Sequence, residues 1–134
     1  MNQRNNGLEV ERLIIKKYPL EDDTKGFDAT YLNVPVEIKS CLLYHSNGLT
    51  PAGSQRRARG RFWIDNDNHR LLLNENGLYI FVLYKVVNDH IVIIDEVLLK
   101  ASYINKYVNS EGNTKINWKY LFPYIYKWDK SCLY

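Results

Sequence analysis

The period of the hydrophobic pattern changes several times along the chain, and each change marks a predicted element. From Gly7 to about Tyr18 the period is helical: at about 100° per residue, Val10, Leu13, Ile14 and Tyr18 share one stripe. Asn6 is placed to cap this helix and Pro19 to end it. Glu11 falls at the edge of the buried arc, and Glu9 on the solvent-facing flank. Leu20 to Lys25 is a polar connection whose Glu21, Asp22 and Asp23 read as solvated turn acids. Phe27–Tyr31 and Val34–Ser40 then alternate as strands, joined by a tight turn at Leu32-Asn33, and the second can continue through Leu43.

Tyr44 to Ala58 shows no period and predicts a long irregular loop, of the kind that is usually functional or mobile. Arg61 to Ile64 is a short strand, and Asp65 caps a helix to about Asn76, closed by Gly77 as a left-handed residue. His69 shares a side with Leu72 and Leu73 and is expected to be half-buried and hydrogen-bonded; His45 in the long loop has a similar standing. Leu78 to Val87 is nearly all apolar, as a strand covered on both faces is. Asn88-Asp89 turns it into a second strand, His90–Leu99. Asp95 and Glu96 are adjacent in that strand, point to opposite faces and cannot share an ion. A short helix over Ala101–Val108 and a loop over Asn109–Thr114 lead to an aromatic tail, Ile116–Trp128, expected to pack on the core or on a second subunit, with stacking on unpaired bases as the alternative.

Composition narrows the class. A chain of 134 residues, 46% hydrophobic and 25% charged, is one globular domain, here 1–134. No apolar run is long enough to span a membrane, and the polar start is no signal peptide, so a soluble, intracellular, cytoplasmic protein is expected. Cys41 and Cys132 provide neither a disulfide framework nor zinc-ligand spacing. A net charge of +3 permits a nucleic-acid partner without demanding one.

The chemistry concentrates in the first hairpin. With Leu32-Asn33 as its loop, Tyr31 faces Val34, Ala29 faces Val36, and Asp28 faces Glu37. Strand parity puts Glu37 and Lys39 on one face and Val34, Val36 and Ile38 on the other. Facing carboxylates destabilise a sheet, and a divalent cation is the simplest compensation. An ordinary hairpin with surface charges is the alternative. Downstream, Gln55-Arg56-Arg57-Ala58-Arg59-Gly60-Arg61 holds four arginines in six residues, suited to contact with a DNA backbone. A solubilising loop or a localisation signal are its other readings.

Asp28 followed by Glu37-Ile38-Lys39 resembles the PD-(D/E)XK motif of restriction endonucleases and archaeal Holliday junction resolvases, with Phe27 where the motif name has proline. Gly7 to Arg12 resembles the Gly-x-x-x-Glu-Arg start of those resolvases, and Arg61 to Lys85 loosely resembles the region after the active site in small archaeal restriction-like proteins. The specific part covers Gly7 to Ser40, about a quarter of the chain. The resemblance implies an α/β restriction-endonuclease-like core, a mixed sheet flanked by helices, and a metal-dependent endonuclease acting on DNA. It implies Mg²⁺ (or Mn²⁺) held by Asp28, Glu37, the backbone carbonyl of Ile38 and Glu11. Lys39 would orient the attacking water or stabilise the transition state, and Gln55, Arg56, Arg57, Arg59 and Arg61 would hold the DNA. Glu11 as a solvated helix charge beside Lys16 or Lys17 stays open. A homodimer is the implied assembly. The rival readings are a non-catalytic DNA-binding module of the same fold and a protein-interaction domain using the aromatic tail.

Overall fold

The computed structural model describes residues 3–21, 26–49 and 51–132, and of residues 3–5, 46–49, 55–56 and 130–132 the backbone alone. Helix α1 spans Gln3–Lys17, and β1 (Ala29–Tyr31) and β2 (Val34–Leu42) form the first hairpin. Strands β3 (Tyr44–Leu49), β4 (Gln55–Arg59) and β5 (Arg61–Asp65) precede helix α2 (Asn66–Asn74). Strands β6 (Leu78–Val87) and β7 (His90–Lys100) form a second hairpin. Helix α3 (Ala101–Ile104), a 3₁₀ turn (Asn105–Tyr107), β8 (Asn113–Asn117), a second 3₁₀ turn (Trp118–Tyr120) and helix α4 (Pro123–Cys132) complete the order. The main sheet runs β1-β2-β6-β7, and β2/β6 is its parallel pair between two antiparallel ones. It is the mixed, helix-flanked α/β sheet expected of a restriction-endonuclease-like core.

Parity along β6 explains why both faces of the sheet are covered. Ile80, Val82 and Tyr84 point to one side, where they pack with Val36 and Ile38 of β2 and with Val10 and Ile14 of α1. Tyr79, Phe81 and Leu83 point to the other, into a larger cluster with Phe62 and Ile64 of β5, Leu72 of α2, Ile104, Trp118 and Phe122. Both long hairpins turn through two left-handed residues, Leu32-Asn33 (φ 49° and 69°) and Asn88-Asp89 (φ 51° and 62°), the type I′ geometry that matches strand twist. The first turn fixes the register as predicted, Tyr31 against Val34 and Ala29 against Val36.

Several elements differ from the sequence reading. α1 begins at Gln3, so Asn6 lies inside it; its side chain is buried and hydrogen-bonded to Tyr84 instead of capping. Leu13 is 39% exposed, and Ile15 takes its place beside Val10 and Ile14. β1 starts at Ala29, not Phe27, after a bend at Gly26 with φ 96°. Glu21 bridges to Thr30 rather than lying free in a turn, and Asp22 and Asp23 lie outside the described residues.

The largest correction concerns 44–58. It is not an irregular loop: β3 and β4 pair antiparallel, so Gln55, Arg56, Arg57 and Arg59 stand on a strand. α2 ends at Asn74, and the left-handed position after it is Asn76 (φ 54°), not Gly77. Asn76 N–H donates to the Leu73 carbonyl and Gly77 N–H to that of Leu72, a Schellman closure. Gly77 is favoured for space, since a Cβ there would stand 2.6 Å from Cγ of the fully buried Leu72 and 3.0 Å from the Pro35 carbonyl oxygen. Helix 101–108 is shorter and finishes as 3₁₀, and residues 113–117, expected as loop and tail, form β8 against β5. In the aromatic tail Trp118, Leu121 and Phe122 are buried, whereas Tyr120, Tyr124 and Trp128 are exposed.

Candidate active site

The site forms where β1 gives out. β1 pairs with β2 only as far as Ala29 and Val36, so from Glu37 onward no strand among the described residues pairs with that edge of β2. Ile38 N–H points at this edge and donates to Asp28 Oδ2 at 2.8 Å. A strand residue presents its N–H and C=O to the same side, so the Ile38 carbonyl faces the same open edge. Asp28 N–H in turn donates to Glu37 Oε1 at 3.2 Å. Each carboxylate is thus pinned through one oxygen by a backbone amide, leaving its second oxygen for another partner.

α1 closes the edge from one side. Its Gly7 packs beside β2 with room to spare, since a Cβ there would meet Ser40 Oγ only at an ordinary contact distance of 3.8 Å. One turn on, Glu11 reaches round the sheet edge into hydrogen-bonding range of the Asp28 carboxyl. The other wall is the start of β5, with Gly60, Arg61 and Trp63, and His45 of β3 also contributes. The resulting cleft has a volume of about 630 Å³ and brings Glu11, Asp28, Glu37, Ile38, Lys39 and Arg61 together.

Its electrostatics are those of too many negative groups for the positive charge present. Glu37 is only 8% exposed, and burial first, then the charge of Asp28, pushes its carboxyl up to about 7. The Lys39 ammonium, 3.9 Å from Glu37 Oε2, and the Asp28 amide pull the other way without prevailing. Burial and then the Asp28 carboxylate also raise Glu11, against the weaker pull of Arg12 and Lys39.

Hard oxygen donors held close against their own repulsion fit a divalent cation. Among the described residues no three His, Cys, Asp or Glu side chains gather closely enough to hold an ion by themselves. Ions held by only one or two carboxylates complete their shell with water and phosphate, and the two acids here would suit such an ion.

The other predicted residues are dispersed. Arg57 lies over the Tyr44 ring at 4.5 Å. Arg59 is turned into an aromatic nest, 4.7 Å from the Tyr126 ring centre and 5.9 Å from that of Trp118. The side chains of Gln55 and Arg56 lie outside the described residues. His69 is in the core, with Nδ1 2.7 Å from Tyr79 Oη and Nε2 3.1 Å from Asn105 Oδ1. Glu96 accepts from Lys17 and Tyr18, which pins the end of α1 to β7. Sequence reasoning missed Trp63 as a wall of the cleft, although alternation in Arg61-Phe62-Trp63 puts it beside Arg61.

A mixed α/β sheet flanked by helices, with two amide-pinned acids and a lysine in one cleft, is the arrangement of a nuclease-like domain. A family model described as the PD-(D/E)XK nuclease superfamily domain matches residues 1–122, and the chain belongs to that superfamily. No curated protein and no solved structure matches the chain significantly. Among the described residues no helix is long and apolar enough to cross a membrane.

The carboxyl shifts set a pH dependence. Glu37 binds its proton more tightly folded than unfolded, so its contribution to stability is full below about pH 4.5 and is lost as pH rises to about 7. Without metal, melting temperature should fall across that window. Added Mg²⁺ should raise it more at about pH 8 than at about pH 5, because a cation held at these acids would bind them ionised. Thermal melts at both pH values check this; an equal Mg²⁺ effect at both would show that the ion binds elsewhere.

Proposed function

We propose that this protein hydrolyses DNA phosphodiester bonds with Mg²⁺ or Mn²⁺, using Asp28, Glu37 and Lys39. The observation that carries the reading is the convergence in one cleft of two amide-pinned carboxylates, Asp28 and Glu37, and the Lys39 ammonium beside Glu37. Asp28, Glu37 and the Ile38 carbonyl would hold the cation, and Glu11 would complete its shell or take a second ion. A cation so held offsets charge on the scissile phosphate and acidifies water. Lys39 orients the attacking water and stabilises charge developing on the phosphoryl oxygens. Arg61, exposed at the cleft wall, positions the adjoining phosphate. With one such site among the described residues, a two-strand cut would take a homodimer or two successive events.

The test is to incubate the pure protein with labelled four-way junctions, blunt duplexes and single strands, with Mg²⁺, Mn²⁺ or a chelator. Metal-dependent cleavage of at least one form, lost in Asp28→Ala and Glu37→Ala, is expected. Tight binding with no cleavage in either metal would leave a DNA-binding module of the same fold.

A further inference from the structure

The cleft carries one large side chain that the hydrolytic reading leaves unused. β5 alternates, with Phe62 and Ile64 in the core and Arg61, Trp63 and Asp65 facing outward. Trp63 is 57% exposed and lines the cleft together with Arg61, Glu37 and Lys39. Trp118, by contrast, is fully buried and donates its indole N–H to the Leu43 carbonyl at 2.8 Å, the ordinary fate of a core tryptophan. The register partner of Trp63 on β8 is Lys115, whose Nζ lies 4.1 Å from the indole centre. An indole is thus held at the surface with the Lys115 ammonium over one face, and it shares the cleft with Arg61 and the acids.

That grouping has the chemistry of a nucleotide site: a flat ring for a base, and Arg61 and Lys115 for the phosphates on either side. In an uninterrupted duplex the base faces are stacked on one another and only their edges reach the grooves, so a protein ring can stack only on an unpaired base. We propose that Trp63 is a stacking platform for an unpaired base next to the phosphodiester bound at Asp28, Glu37 and Lys39. The preferred substrate then carries a single-stranded segment at the cut. This deepens the nuclease reading and rests on it.

Fluorescence anisotropy of the full chain tests it, with Ca²⁺ replacing Mg²⁺ and with a labelled single strand, a forked duplex and a blunt duplex of equal length. Strand and fork should bind more tightly than the blunt duplex. Trp63→Leu, which keeps an apolar side chain but removes the π-face, should weaken strand and fork about tenfold or more. Trp63→Phe should retain most of the affinity, and the blunt duplex should change less than about twofold in either variant. Equal losses on all three forms, or a Trp63→Leu protein that binds the strand like the original, would overturn the proposal. Cleavage dependent on Asp28, Glu37 and Lys39 but indifferent to Trp63 sinks the stacking alone. Trp63-dependent strand binding with no cleavage in either metal sinks the hydrolytic reading alone.

Discussion

Lys39→Ala is expected to slow cleavage about a hundred- to a thousandfold while nucleic-acid affinity changes less than about threefold. The ammonium stands at the cleft beside Glu37 Oε2, where charge would develop on the phosphoryl group, and such donors act chiefly on the transition state. Single-turnover rates at saturating protein separate this from a binding defect. Lys39→Arg should recover only part of the loss, since a planar guanidinium does not reproduce a point charge on a flexible stem. Stability supplies an independent check. Lys39 pulls the Glu37 and Glu11 carboxyls down, so its removal should destabilise the metal-free protein at about pH 8. Glu37→Gln should do the reverse: it keeps an oxygen for the Asp28 amide, removes the repulsion, and melts higher while cleaving no DNA. A Glu37→Gln protein that melts lower at that pH would show the acids to be well compensated without metal. Full cleavage by Lys39→Ala would remove the lysine from the reaction.

These expectations depend on parts of the chain that were legible because they are local. Leu32-Asn33 sets a two-residue turn, which by parity places Asp28 opposite Glu37 and Glu37 on the face of Lys39. Asp65 accepts from the amides of Asp67 and Asn68, the cap its position announces. Tyr79 to Tyr84 of β6 are apolar or aromatic on both faces because both faces are covered there, whereas Lys85 to Val87 run out into solvent. What was not legible is pairing over distance. β4 reads as a basic loop because Arg56, Arg57 and Arg59 dominate it; β3 makes it a strand, and Tyr44, Trp118 and Tyr126 take up the arginine planes. β8 reads as loop because Asn113, Lys115 and Asn117 are polar. Its inward positions are Thr114 and Ile116, and Thr114 is satisfied by a donation to Asn66 Oδ1 at 3.0 Å that no local pattern reveals. The second wall of the cleft is built from β5, held by β8, so Trp63 went unnoticed while the hairpin acids did not.

That second wall depends on Gly60, and Gly60→Ala is expected to cost about 3 kcal/mol and lower the melting temperature by about 10 °C. Gly60 separates β4 from β5 and is buried against the end of β2. A Cβ there would lie 1.9 Å from the Leu42 carbonyl oxygen, and that oxygen belongs to backbone, not to a side chain that can swing away. The surroundings are also tied. Gly60 N–H donates to the Leu43 carbonyl at 3.3 Å, the Gly60 carbonyl accepts from Trp118 N–H at 3.3 Å, and Leu43 N–H is bonded to the Tyr84 carbonyl at 2.8 Å. Relief therefore requires β5 to move away from β2 as a unit, carrying Arg61 and Trp63 with it, so cleavage should fall along with stability. Gly53→Ala is the control. Gly53 has φ 86° but nothing within 4 Å of an added Cβ, so it should cost only backbone strain, about 1 kcal/mol, with activity retained. A Gly60→Ala protein melting no lower than Gly53→Ala would mean that β5 does not lie this close to β2, and that the cleft between them is wider than described.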